Sequence, residues 1–538
     1  MGKSFISFWS VLALVYSFAW HIQAAPSQNT FEVCDTLYAS YPRNLVWDPL
    51  GPNASKTVLN STLYYDTNVN YWNLRSKRNR AACVFYPSSA EEVSVAIKTL
   101  NKYPDVQFAL KCSGHNPNLG FSSVNEGVLL AFDPNFKYSI PSADGTLVRV
   151  GAGAKWEDVY ASLDSLGRAV VGGRLGNVGV TGFTLGGGLS HLSPQYGLAC
   201  DNVVNIKCVL ANGTITNANA TSHPELFFAL KGGGNQFAVI TEFTFKTYEV
   251  GDKGQIWGGI RSYSGDKHAA ILSAISNFTA NNDDGKAALI PTFNFFGLLG
   301  VNIPAIIVFY FYDGPQMPEG IFDELDAIPS LYDGTRKRTI ANLVQDLFAG
   351  DLEGLGFQIA FGSFPNMPIS DMSSFLQDHF DEANELASKA ALEDVLDFRL
   401  LTFTLQPFSR LIAQASIDAG GNALGVTPDV GDKIWVEYNV AWASPACDED
   451  CPAFAKTAAD TFQELHKSKY SGIYPTNYKS GDLEYLSYNP LFMNDAISGQ
   501  DVLKSYGDAT YNRLKSTHAA YDPEGLFSGR QKGFTFSQ

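Results

Sequence analysis

The sequence predicts an α+β protein built in more than one part, and three observations carry that prediction. The chain has 538 residues, too many for one ordinary core. From Cys83 to about Tyr248, short apolar runs alternate with amphipathic stretches and clusters of glycine. After Tyr248 the glycine clusters stop, and long apolar segments alternate with helical ones, the pattern of a separate α+β domain.

The first 24 residues read as a signal peptide. Lys3 supplies the positive start, Phe5 to Trp20 the apolar stretch, and Ala24 the small residue at the cleavage position. The reading implies a secreted or secretory-lumen protein, with no membrane attachment after cleavage. Five sequons then become candidate glycosylation sites: Asn53, Asn60, Asn212, Asn219 and Asn277. The seven cysteines fit an oxidising compartment. Cys34 and Cys83 form a candidate long-range pair, and Cys447 and Cys451 can close a local loop, but sequence alone does not fix the pairing. A zinc site is the other use of clustered cysteines, and no C-x-x-C or H-x-x-x-H spacing supports it.

Cys83 to Tyr86 is a short strand stopped by Pro87. Ser88 or Ser89 can cap a helix with Glu91 and Glu92 in its first turn and Val93, Ala96, Ile97 and Leu100 on one face. Val106 to Leu110 is the next strand and runs into the loop Lys111-Cys112-Ser113-Gly114-His115-Asn116. Trp156, Val159, Tyr160, Leu163 and Leu166 mark a second amphipathic helix. Val203 to Leu210, Asn212-Gly213 and Thr214 to Thr216 predict a hairpin with a type I′ turn. Phe293 to Tyr312 is strongly apolar. It is interrupted by Asn294, Asn302 and Pro304, so it reads as two buried strands rather than a membrane span. Asp501 to His518 predicts a helix near the C-terminus.

Composition excludes some partners. Hydrophobic residues make up 45% and charged residues 17%, a globular balance. The net charge of −16 repels phosphate backbones and anionic lipid, so nucleic acid is excluded as a partner class.

Three glycine clusters point to a bulky anionic ligand: Gly172-Gly173 with Gly176 and Gly179, Gly182 with Gly186-Gly187-Gly188, and Gly232-Gly233-Gly234. Without a Cβ, backbone N–H groups can close on a pyrophosphate. One cluster alone is an ordinary tight turn; three in one region favour a dinucleotide. Gly151-Ala152-Gly153-Ala154-Lys155-Trp156 starts like a Rossmann fingerprint but ends in Trp156, and no Walker loop occurs.

Four blocks resemble a known family: KCSGHN at 111–116, VGVTGFTLGGGLS at 178–190, YGLACDNV at 196–203 and ALKGGGNQFAVIT at 229–241. Together with Tyr521-Asp522-Pro523 and Leu526-Phe527, they resemble the berberine-bridge-enzyme-like branch of the vanillyl-alcohol-oxidase-like flavoproteins, especially its fungal secondary-metabolism members. The resemblance implies a two-part PCMH-type FAD-binding domain at 25–250, with its core at about 79–250. It further implies a substrate domain at 251–480, an antiparallel sheet backed by helices, and a segment at 481–538 that returns to the FAD domain.

The same resemblance assigns residues. His115 is implied as a covalent tether to the flavin. Members with two tethers carry a Cys just before the second block, where Leu175 stands here, so a single link through His115 is implied. Gly176, Asn177, Ala238 and Thr510 are further departures from the family pattern. The backbone of Lys111, Cys112, Ser113, Gly114 and Asn116 is implied to cradle pyrophosphate. Gly179, Thr181 and Gly182 are placed near the flavin, with Asp201 and Asn202 at its edge. Val239 and Ile240 are placed on the adenine or ribose side, and Tyr511 among the cofactor contacts. In the strand Trp435 to Trp442, period two puts Glu437 and Asn439 on one face and Val436, Tyr438 and Val440 on the other. By pattern alone that polar face reads more readily as a solvent edge. The resemblance makes Glu437 the candidate general base, with Tyr438 and Asn439 as weaker candidates.

The implied activity is FAD-dependent oxidation. Hydride passes from a small organic substrate to flavin N5, and O2 reoxidises the flavin to give H2O2. A secondary metabolite is the favoured substrate, because the carbohydrate oxidases of this branch carry both flavin bonds. An oligosaccharide or alcohol oxidase, and a flavin-binding protein with little turnover, are the alternatives. Substrate and O2 are the expected partners, and a monomer the expected state.

Overall fold

In the computed structural model the described residues are 26–57, 61–346, 354–393 and 397–536. The segment read above as a signal peptide and the sequon at Asn60 lie outside them. Three sheets organise the chain. Leu45–Trp47, Cys83–Phe85, Val128–Ala131 and Phe108–Lys111 form the first, in that spatial order and parallel from Cys83–Phe85 onward. The predicted helix covers it as Ala90–Leu100. Ser89 is the cap, its Oγ accepting from the Glu92 N–H, while the Ser88 hydroxyl donates to the Glu92 carboxylate. Cys34 on the helix Gln28–Ser40 is disulfide-bonded to Cys83.

The second sheet is antiparallel, in the order Ser139–Pro141, Leu147–Gly151, Val239–Lys246, Val203–Val209, Ile215–Ala218. The helix Trp156–Asp164 packs Trp156, Val159, Tyr160 and Leu163 into the adjoining core, and Leu166 lies exposed beyond its end. The hairpin between Val203 and Ala218 forms, but its turn is not type I′: only Gly213 has positive φ, at +81°. Asn212 instead bends the loop, its Oδ1 accepting from the Thr214 N–H. A two-residue turn with positive φ at both positions occurs at Leu299-Gly300.

The third sheet is wholly antiparallel. Its order is Tyr332–Asp333, Ile256–Ser264, Val301–Tyr312, Ala287–Leu298, Phe398–Phe408, Lys433–Trp442, Gly356–Pro365. The apolar stretch at 293–312 is therefore two paired strands. Their central residues are buried, and the hairpin tip at Leu298, Leu299 and Val301 is exposed. The helices Ile369–Glu393 and Asp450–Lys469 cover one face, packing Phe375, Leu376 and Phe462 against Phe403, Val436, Tyr438 and Val440. The Cys447–Cys451 disulfide ties the first turn of the second of these helices to the segment before it. No helix among the described residues is long and apolar enough to cross a membrane.

The last segment packs back across the first two sheets. The predicted helix at 501–518 is broken by Gly507 (φ +85°) into a 3-10 turn Lys504–Tyr506 and a helix Asp508–Tyr521. Asp522 then accepts from the N–H groups of Leu526 and Phe527, whose side chains join the core beneath the first sheet. The Asn118 amide ties three regions together. It donates to the Ala496 carbonyl and accepts from Gln358 Nε2 and the Ser498 N–H.

Candidate active site

A cavity of ≈ 450 Å³ lies between the glycine-rich loops and the open face of the third sheet. Strand periodicity builds its sheet wall. Five strands each contribute an i, i+2 pair: Thr292 and Asn294, Ile307 and Phe309, Phe357 and Ile359, Leu400 and Thr402, Glu437 and Asn439. Of the intervening residues, Phe293, Val308, Leu401 and Tyr438 pack into the core shared with the helices, and Gln358 donates to Asn118. Glu437 and Asn439 thus lie on the cavity side, as predicted, rather than on a solvent edge.

Glu437 is held in place by Asn439, whose Nδ2 donates to Glu437 Oε1 at 2.8 Å and to Thr402 Oγ1 at 3.1 Å. Burial raises Glu437 above the ordinary carboxyl range; the Asn439 hydrogen bond and the Arg174 charge oppose that rise. Tyr438 sits on the reverse face. Its hydroxyl is 2.8 Å from His379 Nε2 and its ring stacks on Phe462.

On the opposite wall, His115 stacks on Trp72 at 4.7 Å, and Trp72 stacks on Phe357 at 4.4 Å. The three rings link the glycine-rich side to the sheet. Burial pushes His115 down to about 4, so its ring is neutral at neutral pH. Cys112, Ser113, Gly114, Asn116, Gly179, Thr181, Gly182, Val239 and Ile240 line the same cavity. Burial pushes the Cys112 thiol up to about 11, which keeps it protonated.

Four other predicted contacts do not line the cavity. The Lys111 ammonium turns away to the carbonyls of Thr67 and Asn70 and lies 4.0 Å from the Tyr71 ring centre. Asp201 accepts from Ser416, Asn422 and the Leu198 N–H, with Lys231 at 3.8 Å. Asn202 donates to the carbonyls of Tyr196 and Leu198 and accepts from the Tyr248 hydroxyl. Tyr511 is buried in the core beside Phe536. All four join segments of the fold.

The comparisons with known proteins agree with this architecture. A berberine bridge enzyme variant has a TM-score of 0.67 to this structure, with 17% identity, and the match covers 93% of this chain and 98% of that one. A glucooligosaccharide oxidase from Acremonium strictum, described with a 6-S-cysteinyl, 8α-N1-histidyl FAD, has a TM-score of 0.67 and 18% identity, covering 94% and 99%. Residues 81–219 match the FAD binding domain family. An uncharacterized FAD-linked oxidoreductase from Arthroderma benhamiae is 32% identical over 486 residues, 88% of this chain and 91% of that protein. The chain belongs to the FAD-linked oxidoreductases and has the fold of berberine bridge enzyme.

The residues of this oxidoreductase fit FAD. The N–H groups of Ser113, Gly114, His115 and Asn116 donate to no acceptor among the described residues, and all four residues line the cavity. Successive free backbone donors of this kind suit a pyrophosphate. A Cβ at Gly179 would come within 2.5 Å of Ser113 Oγ, so glycine is needed for that close approach. A Cβ at Gly182 would meet nothing within 4 Å, so that backbone opens directly on the cavity.

The cavity of this oxidoreductase also holds groups the sequence reasoning passed over. Arg174 and Asp495 line it, linked through Gln406: Arg174 Nη2 donates to Gln406 Oε1 at 2.5 Å, and Gln406 Nε2 donates to Asp495 Oδ2 at 2.8 Å. Burial and the nearby Glu437 push Asp495 up to about 8. The one signal available for Arg174 was a charged residue set between a glycine pair and the second block. Gln406 and Asp495 had none.

Proposed function

We propose that this oxidoreductase is a secreted oxidase that holds FAD through a single covalent bond at His115 and oxidises a small organic metabolite, with Glu437 as the base. One observation carries the reading: the neutral His115 ring and the Glu437 carboxyl open on the same cavity from opposite walls. His115 makes no hydrogen bond among the described residues, which leaves a ring nitrogen free for the tether. Leu175, at the position of the second tether in bicovalent members, lines the cavity and offers no nucleophile. The division into an FAD part (25–250 with 481–538) and a substrate part (251–480) belongs to the same reading. Two disulfides and an N-terminal signal-like sequence support secretion.

FAD, when bound, supplies the hydride acceptor and its reoxidation by O2. The chain's own residues do the rest. Glu437 takes the substrate proton, and a raised carboxyl pKa brings its proton affinity closer to that of the group it deprotonates. Asn439 orients the carboxyl. Ile307, Phe309, Ile359 and Leu400 line the pocket with apolar surface that excludes water and suits a small, largely apolar molecule.

The test has two arms. Acid-precipitated protein is digested, and flavin is expected on the peptide containing His115; flavin released to the supernatant refutes the tether. Anaerobic flavin reduction is then followed with a panel of phenolic, polyketide and alkaloid compounds, with peroxide assayed on readmitting air. Glu437→Gln is expected to slow reduction by about 100-fold or more. Unchanged reduction in that variant removes Glu437 as the base.

A further inference from the structure

We propose that the substrate carries an apolar tail, a hydrocarbon chain, which leaves the cavity and lies on an exposed shelf of the third sheet formed by Phe296, Leu298, Val301 and Ile303. The inference rests on the reading of the cavity as the substrate site and names the class of molecule that fits it.

The shelf is the cavity wall continued. In the hairpin Ala287–Leu298 and Val301–Tyr312, Thr292 pairs with Ile307, Asn294 with Ala305, Phe296 with Ile303 and Leu298 with Val301. Side chains alternate along a strand, so these pairs share the face on which Thr292, Asn294 and Ile307 line the cavity. Phe296 also lies opposite Leu400 of the next strand, and Leu400 lines the cavity in one cluster with Phe357 and Trp72. The apolar surface runs from the cavity past Phe296 to Leu298, which lies about 14 Å along the strand from Asn294.

The two rows of the hairpin tip are sorted against ordinary expectation. Phe296, Leu298, Val301 and Ile303 are exposed by 38%, 58%, 58% and 46%. On the reverse row Phe295 joins the core, and Asn302 donates to Asn384 Oδ1 at 2.9 Å and Ser388 Oγ at 3.1 Å on the helix Ile369–Glu393. The apolar row is bare on the cavity side, and the row that packs carries the polar residue. Leu299 at the turn has φ +51° and is 81% exposed, at a position that favours Gly, Asn or Asp. Folding gains nothing from a leucine there, whereas an apolar ligand crossing the tip does.

Three features select a tail over other occupants. The tip offers five exposed apolar side chains, whereas a stable protein interface takes about 20–30 residues a side. No Lys, Arg or Trp occurs in 287–312, and the chain carries a net charge of −16, so the shelf lacks the basic and aromatic rim of a surface that rests on lipid. The shelf is also continuous with the cavity, so a molecule whose reacting end faces Glu437 reaches it without leaving the sheet.

The experiment titrates the flavin-loaded enzyme by calorimetry with 4-alkylphenols from methyl to octyl. Full burial of a CH2 tightens binding about fourfold; on a shelf open to water on one side about twofold per CH2 is expected, so octyl binds about tenfold tighter than butyl. The double variant Leu298→Ser, Val301→Thr is expected to flatten that dependence. Leu331→Ser, at an exposed leucine beside the edge strand Tyr332–Asp333, is expected to keep it. A flat wild-type series, or no binding by the octyl member, overturns the proposal whatever the folding of the variants. So does a dependence kept in the double variant, or one lost in Leu331→Ser. Wild-type protein that dimerises, or that sediments with phosphatidylcholine vesicles, when the double variant does not, also overturns it, because the shelf then belongs to a second copy or to lipid. Calorimetry needs no turnover. A chain-length dependence carried by Leu298 and Val301, with no flavin reduction across the panel, would sink the oxidase reading and leave the tail site standing.

Discussion

Replacing Asp201 with Ala separates a residue that holds the fold from one that holds the cofactor. The sequence motif placed Asp201 at the flavin edge, whereas the structure places it in a buried clasp. Its carboxylate accepts from Ser416 Oγ at 2.5 Å, from Asn422 Nδ2 at 2.9 Å and from the Leu198 N–H at 2.9 Å, with Lys231 at 3.8 Å. The substitution leaves those donors and the buried Lys231 charge without their acceptor. Lys231 keeps one partner, the Gly421 carbonyl at 2.6 Å, so the loss falls within the usual range for breaking a buried pair, about 3–5 kcal/mol. Asp201→Asn keeps an acceptor for the Leu198 N–H and is expected to lose less. Urea unfolding is followed by tryptophan fluorescence, and flavin content is measured in the folded fraction. A large fall in midpoint with normal flavin content supports the clasp. Stability within about 1 kcal/mol of wild type, together with lost flavin, refutes it.

Four further outcomes are expected. His115→Ala should release its flavin on acid precipitation while wild type retains it, read from supernatant absorbance. Gly182→Ala should leave stability unchanged or raise it by up to about 1 kcal/mol, because the site is helical and open, yet weaken FAD binding in a reconstitution titration. Cys34→Ser should lower stability by about 4 kcal/mol, since the bridge to Cys83 closes a separation of 49 residues. Asp495 is held at about 8, above its unfolded value, so the folded state binds that proton more tightly. The stability it contributes is complete below about pH 4 and is lost as pH rises toward 8. Asp495→Asn should therefore gain on wild type across that window, measured as unfolding midpoints at several pH values.

Contiguous features of this chain were readable from sequence. The loop 111–116 follows a strand and carries its glycine and histidine together, and the alternation from Val436 to Val440 separates the cavity face from the core face by period alone. The direction of a side chain inside a motif was not readable. Asp201, Asn202 and Tyr511 occupy motif positions, but each turns toward hydrogen bonds or packing made by distant segments. The linked Arg174, Gln406 and Asp495 come from three separate stretches, and Trp72 reaches His115 from a segment with no glycine signature. Local periodicity records only what neighbours in sequence share. A cluster assembled from remote residues leaves almost no trace in it.

The third sheet has one further consequence. Each of its cavity-lining strands presents one row of side chains to the ligand and the alternate row to the helices. Exchanging Thr292, Ile307, Ile359 or Leu400 changes what the molecule meets without disturbing the stack of Tyr438, Phe462 and His379 behind it. Substrate preference can therefore drift one residue at a time while the scaffold stays the same. A screen confined to those four positions should recover altered selectivity with most variants still folded.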